Sequence, residues 1–449
     1  MIPDSFAETR WDRYDPFASL ALAALARAVR PPSTRNREAP VPRARSVLQS
    51  VAVLLLSGLV SCSAADPVPS LVVQRDSAGV RIIEAMRPLW SDATGWSIDS
   101  DPLVDLTFSG SGPSHEFFRV RSVRQGPDGS LVVADGGSQE VRRYSSSGAF
   151  LGSVGGAGDG PGEFGSLWMA EVSADNILAI DQRGRVTVLA PDLAPTHTFD
   201  VPQRAFDLHD LNDGTVLLEV YHPTSRPELQ ATVRVIRRPW GLFRYDLEGA
   251  RIDSLGEMAG WEEAPRVIDG SSISGPPLFG RQAHVAAGGN AVYYGSADLM
   301  EVRQLSLTGD VVRILRIPGY PLSLTDEEID AERAAQFDAR VPPGAPVPPI
   351  VRRFIEELPA PAARPAYADI LTDPSGAVWL ELYRGRSERA RPQAWLVLDA
   401  DGTWLGTVAV PDGFAVMDIT MDAVLGVWTD ELDVEHPQVL GLARSLNER

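Results

Sequence analysis

The sequence predicts an all-β fold: a six-bladed β-propeller of four-stranded antiparallel blades, with a small helical insertion and an N-terminal signal segment. Three observations carry this. Six strongly apolar runs of five to seven residues recur between residues 131 and 430. Turn triplets rich in Gly, Asn and Asp flank them, and a Gly-Pro…Glu-Phe segment occurs twice, at 112–117 and 160–164. Self-similarity at a fixed spacing decides the architecture before any single residue does.

The apolar runs are LVVAD (131–135), ILAID (177–181), TVLLEV (215–220), AVYYG (291–295), AVWLEL (377–382) and VLGVWTD (424–430). The turns before them are PDG (127–129), ADN (174–176), NDG (212–214), GGN (288–290), PSG (374–376) and MDA (421–423). A second set follows at 146–148, 190–192, 247–249, 307–309 and 400–402. Gly and Asn supply the positive φ of tight hairpins, and the runs between them have strand composition. Each run is therefore the second strand of a four-stranded unit, and six such units make a propeller. A β-helix would need far shorter repeats, and two sandwiches give no reason for six equivalent hairpins. The last unit lacks a fourth strand after 439–444. A strand expected at 103–108 precedes the first complete unit, and is predicted to fill that place and cover the open edge.

The segment GAGDGPGEF (156–164), followed by a strand, a turn and a run such as VVAD, resembles bacterial six-bladed propeller lipoproteins with NHL-like repeats. The resemblance spans about residues 103–445 and implies a fold rather than a chemistry. Two departures stand out. Gly295 replaces the acid expected at the end of the second strand, and units three and six are degraded. The glycine string lacks dinucleotide-binding spacing and leads into a strand, so it is read as a tight link between blades.

Composition excludes several functions. The chain has 449 residues, a formal charge of −19 and 41 basic residues, all of them Arg. Without Lys there is no Schiff base and no Walker A site. A single Cys rules out an intrachain disulfide framework. The acid excess argues against a nucleic-acid partner, whose phosphates must be neutralised.

That single cysteine, Cys62, closes an apolar run at 47–60 preceded by Arg43 and Arg45. A basic segment, a short apolar stretch and small residues before a cut are the layout of a secretory signal, too short for a comfortable membrane span. Leu-Val-Ser-Cys resembles a lipobox, which implies acylation of Cys62, a lipid-membrane partner and an outer-membrane address in the cell envelope. Residues 1–61 form the leader, with 1–40 read as an upstream extension or a start placed too early, the latter being the expectation. Residues 62–102 are expected to be a linker with N-terminal strands, and 103–445 the propeller. Removal of the leader's net +3 leaves the exported part at −22.

In an up-and-down blade, the first and third turns lie on one face of the disk and the other connections on the opposite face. The long connections all fall on that second face, at 221–230, 258–280, 319–367 and 384–392. Long loops on a rigid scaffold are where binding concentrates. The insertion at 319–366 is predicted to hold two helices, one opened by a capping box at Thr325–Glu328 and running to 338, the other at about 350–358. Arg384, Arg386, Arg389 and Arg391 form a basic loop suited to an anionic ligand or a protein partner, beside His222 on the same face.

His209 and His284 fall on predicted innermost strands and are the candidates for a metal in the central channel, with Ca or Zn possible as cofactor. Peptidyl-hydroxyglycine lyases and gluconolactonase-like propellers hold a metal there, although their ligand motifs do not map onto this chain. Asp135, Asp181, Glu219 and Glu381 are read as one recurring blade position, capping turns rather than holding a cation. No nucleophile elbow is present, so no catalytic residue is assigned. The expectation is a lipid-anchored envelope propeller acting as a binding or scaffold module. The alternative is a lyase or lactonase-like enzyme using a channel metal.

Overall fold

The computed structural model describes residues 70–90, 95–173, 175–202, 205–221, 234–288, 291–341 and 344–444. Cys62 and His222 lie outside the described residues, as do most of the 221–230 loop and the GGN turn.

Three strands precede the first blade: β1 (Val72–Ser77), β2 (Val80–Ala85) and β3 (Ser97–Asp105). Six four-stranded antiparallel units then follow as expected. Their first strands are Val120–Gln125, Leu167–Val172, Ala205–Asp210, His284–Gly288, Tyr367–Thr372 and Phe414–Ile419. Each of these packs against the first strands of the two neighbouring blades, which closes the ring around a central channel. The second strands Leu131–Asp135 and Ile177–Asp181 are buried along their whole length. Sheets covered on both faces make such strands continuously apolar rather than alternating.

Apolar clusters fill the seams. Leu178, Ile180 and Val186 of blade two meet Leu208, Leu218 and Val220 of blade three. Tyr293 and Val302 of blade four meet Ile370 and Leu380 of blade five. The turn glycines do what the repeat requires: Gly129 and Gly376 stand at φ +80° and +81°.

The ring closes by a borrowed strand. β3 pairs antiparallel with Glu435–Ala443 as the fourth strand of blade six. It spans 97–105 rather than 103–108, because residues 106–108 leave the sheet in a turn that seats Leu106 in the core. The β1–β2 hairpin extends blade four to six strands, with β2 parallel to Val311–Arg316.

Among the described residues, no connection on the short-turn face exceeds five residues, whereas the other face carries the 50-residue link between blades four and five. The 258–280 loop begins later than expected, since the fourth strand of blade three runs through Arg251–Glu263. A small hairpin, Arg266–Ile268 with Ser271–Ile273, follows. The link between blades four and five holds α1 (Asp326–Arg340) and α2 (Pro349–Glu356). The capping box opens α1 as predicted: Glu328 N donates to Thr325 Oγ1 at 3.2 Å, and Thr325 N to Glu328 Oε2 at 2.8 Å.

Candidate functional site

Four of the six blades place an ionisable side chain at the penultimate residue of the first strand: Arg124, Glu171, His209 and Asp418. Blades four and five have Ala287 and Leu371 there. Equal register in a ring of equivalent strands brings these side chains to one level of the channel, nearer the short-turn face.

Arg124 is the hub. Its Nε donates to Glu171 Oε2 at 2.9 Å and its Nη1 to the Met417 carbonyl at 2.7 Å, joining blades six, one and two. Burial works against the guanidinium's charge, but Glu171 and Asp418 outweigh it and raise its pKa. Burial raises the Asp418 carboxyl; Glu171 adds to this while Arg124 opposes it. Asp210, the next residue after His209, is raised by burial and by Glu171.

Blade three contributes most. Asp207 pairs directly across from Glu219, and His209 lies two residues along the same strand. Side chains two apart share a face, and directly opposed residues share it as well. Asp207, His209 and Glu219 therefore converge, with one ligand-type atom from each inside 4.8 Å of the others. His209 Nε2 meets Glu219 Oε1 at 2.9 Å, the carboxylate accepting. Burial alone would lower the imidazole pKa, but Asp207 and Glu219 outweigh it and hold it above the ordinary value.

His284 stands apart. It begins its strand near the other mouth, with Nδ1 3.6 Å from Asp369 Oδ1 of blade five. The structure thus places both candidate histidines on first strands but does not bring them together.

The recurring acids divide in two. Asp135 accepts from the backbone N–H groups of Gly137 and Ser138, and Asp181 from those of Arg183 and Arg185, as turn caps. Glu219 and Glu381 do not share that position. They pair opposite Asp207 and Asp369, one residue earlier than Asp135 opposite Val120 and Asp181 opposite Leu167. Their carboxylates meet His209 and Gln393 instead. Gly295 takes the acid's place in blade four because a Cβ there would overlap the Tyr367 hydroxyl.

The basic loop lies on the insertion face, between the second and third strands of blade five. Arg384 Nη1 donates to the Arg391 carbonyl at 2.6 Å, and Arg391 pairs with Glu388 at 2.7 Å. Glu388 also accepts from Arg364 Nη1 through both carboxylate oxygens at 2.9 Å, while Ser387 N donates to the buried Glu332 of α1 at 3.0 Å. The loop is therefore stitched to the helical cap. Arg386 and Arg389 lie in and just after its short 3-10 turn.

Sequence reasoning missed Arg124, Glu171, Asp207 and Asp418. A signal was available in two units, where a single acid, Glu171 or Asp418, interrupts an otherwise apolar first strand just before the first turn, whereas Val120–Gln125 and Ala205–Asp210 carry further polar residues.

No protein-family model matches the chain, and no curated protein sequence matches it. Solved structures match at low identity. A protein described as exported, from Bacteroides fragilis, is 12% identical, covers 81% of this chain and 99% of its own, and superposes with a TM-score of 0.47. A streptogramin B lyase is 11% identical over 79% of this chain and 100% of its own, with a TM-score of 0.37. A virginiamycin B lyase from Staphylococcus aureus is 10% identical over 79% and 96%, with a TM-score of 0.36. The six-bladed ring itself is read from the strand pairing. Among the described residues, no helix is long and apolar enough to cross a membrane.

Proposed function

We propose that the protein is an exported, lipid-anchored cell-envelope propeller that acts as a binding module through its loop-rich face. The observation that supports this is the asymmetry of the disk. Among the described residues, one face has only tight turns, while the other carries the helical cap and the long connections. Such a division is what a scaffold with one working surface requires. Because Glu388 answers Arg364 and Arg391 within the basic loop, the partner class is a protein surface rather than a small free anion.

The anchor is tested by metabolic labelling with a palmitate analogue: label is expected on the wild type and absent from Cys62→Ala. The working face is tested with a photo-crosslinking residue in live cells. Adducts are expected from position 118 or 432 on the loop-rich face, where Phe118 and Leu432 are exposed, and not from Met421 in a short turn. Equal adducts from both faces, or none from either, would overturn the reading.

A second reading, a lyase or lactonase-like enzyme working in the channel, is favoured by the placement of His209 between two carboxylates. Turnover of a lactone or an elimination substrate that disappears in His209→Gln would support it. Turnover unchanged by that substitution would not.

A further inference from the structure

We propose that Asp207, His209 and Glu219 form a site for one divalent transition-metal ion of the zinc or manganese class. The inference rests on blade three alone and does not depend on the anchor or on the loop-rich face. Its basis is the side-chain geometry. Two carboxylates and one imidazole present their ligand atoms within 4.8 Å of one another. Bonds of about 2.0–2.2 Å to a single ion require ligand atoms roughly 3–4 Å apart. The present 2.9 Å contact between His209 Nε2 and Glu219 Oε1 needs to open by only a few tenths of an ångström.

Rigidity supports the same conclusion. All three residues sit on paired strands rather than loops: Asp207 and Glu219 are held by direct cross-strand pairing, and His209 by the pair with Leu217. Asp207 and Glu219 are 8% and 2% exposed, so no long rearrangement is available to separate them.

Charge favours a cation at the same place: Asp207, Glu219 and Glu171 all act electrostatically on His209, and Asp207 acts on Arg124 as well. The donor set selects the ion class. One imidazole nitrogen with two carboxylates suits Zn²⁺ or Mn²⁺, whereas Ca²⁺ takes six to eight oxygens and Mg²⁺ keeps mostly water and oxygen. His284 is not a ligand, because Asp369 is its neighbour and the cluster lies on another blade.

The test uses the untagged full chain, stripped with chelator and titrated with ZnCl₂ or MnCl₂ alone by calorimetry. One equivalent is expected to bind, with affinity reduced more than about tenfold in Asp207→Asn, His209→Gln and Glu219→Gln. His284→Gln is expected to bind as the wild type does. Co²⁺ added to the stripped protein gives a second readout, a ligand-field spectrum that changes in His209→Gln. Circular dichroism of each variant separates lost binding from lost fold, and His209→Gln, the least buried of the three positions, is the variant to rely on if Glu219→Gln unfolds. No saturable binding of either ion, or binding that survives all three substitutions, overturns the proposal.

Discussion

Val439 of the last blade pairs with Val104 of β3, so residues from opposite ends of the chain complete one sheet. Both belong to the apolar cluster that also holds Leu106, Val123 and Leu425 at the seam between blades six and one. Removing β3 opens that seam and exposes the edge of Glu435–Ala443. An unpaired apolar edge recruits other chains. A chain beginning at residue 106 is therefore expected to aggregate and lose its cooperative thermal transition, whereas one beginning at residue 70 keeps both solubility and a single transition. Size-exclusion chromatography and calorimetry read the two outcomes. A monomeric, cooperative chain from residue 106 would show that closure by β3 is dispensable.

The cap is held by a buried cation. Arg266 has no exposed surface; it pairs with Glu357 at 2.8 Å, donates to the Arg353 carbonyl at 2.6 Å and lies 5.0 Å from the Phe354 ring centroid. Arg266→Ala removes the pair and leaves a cavity beside Phe354. Because Glu357 is half exposed, the stranded carboxylate can hydrate, and the loss is expected near the low end for a broken buried pair, about 2–3 kcal/mol. The urea midpoint of the whole chain measures it. A change within experimental scatter would mean that the cap is fastened elsewhere.

Gly295 tests whether the missing repeat acid is a defect or an adaptation. Tyr367 Oη donates to the Glu301 carbonyl at 2.8 Å and accepts from Ala297 N at 3.3 Å, in the space that a Cβ on residue 295 would need. Gly295→Ala is expected to cost roughly 1–3 kcal/mol through overpacking, and Gly295→Asp more. Gly295→Ala,Tyr367→Phe should recover part of the loss. A lower Tm for the single variant and partial recovery in the double are the calorimetric signature. An unchanged Tm would show that Tyr367 can move aside at no cost.

How much of this was legible in the sequence depends on the range of the interaction. Turn glycines such as Gly129 and the capping box at Thr325 are set by neighbouring residues, and both stand where local pattern predicts them. Strands are expected within 62–102, but not the place of β1 at the edge of blade four: its residues VVQRDS are almost all exposed, so nothing in their pattern says which sheet they join. The channel ring was legible only after the first strands were set in register, because Arg124 and Glu171 lie on different blades and meet only when the ring closes. Both blades carry the same register break, so Val220 corresponds to Asp135 and the one-position shift of Glu219 shows only once the strands are paired.

Acid should loosen the join between cap and basic loop. Burial tends to raise the Glu388 carboxyl, but the Gly385 N–H and Arg364 outweigh it and hold its pKa below the ordinary value. Glu328 is lowered chiefly by the Thr325 N–H, with Arg364 also contributing. A carboxyl depressed in the folded state adds stability above its unfolded pKa and loses it as pH falls through the folded value. Hydrogen-exchange protection, taken relative to the intrinsic amide rate at each pH, is thus expected to fall together in α1 and in residues 385–391 below about pH 4.5, near the ordinary glutamate value. In Glu388→Gln that acid dependence should shrink. If protection in the two segments falls at separate pH values, the join is not the cause.

Arg124 is the strongest single test of the channel. Replacing it with Met keeps much of the volume but leaves Glu171 and Asp418 facing each other without the guanidinium. Removing one partner from a buried ionic group costs about 3–5 kcal/mol. The pH dependence carries a definite sign. Asp418 is already raised in the wild type, mainly by burial, with Arg124 holding it down. Without Arg124 it rises further. A carboxyl raised in the folded state destabilises progressively as pH climbs from its unfolded to its folded value. Arg124→Met is therefore expected to lose most stability at pH 7.5 and much less at pH 4.5, as read by urea midpoints. Arg124→Met,Asp418→Asn should recover stability at pH 7.5, and the double-mutant cycle gives their coupling. A loss that is the same at both pH values, with no recovery in the double variant, would assign Arg124 a packing role and remove charge balance from the account of the channel.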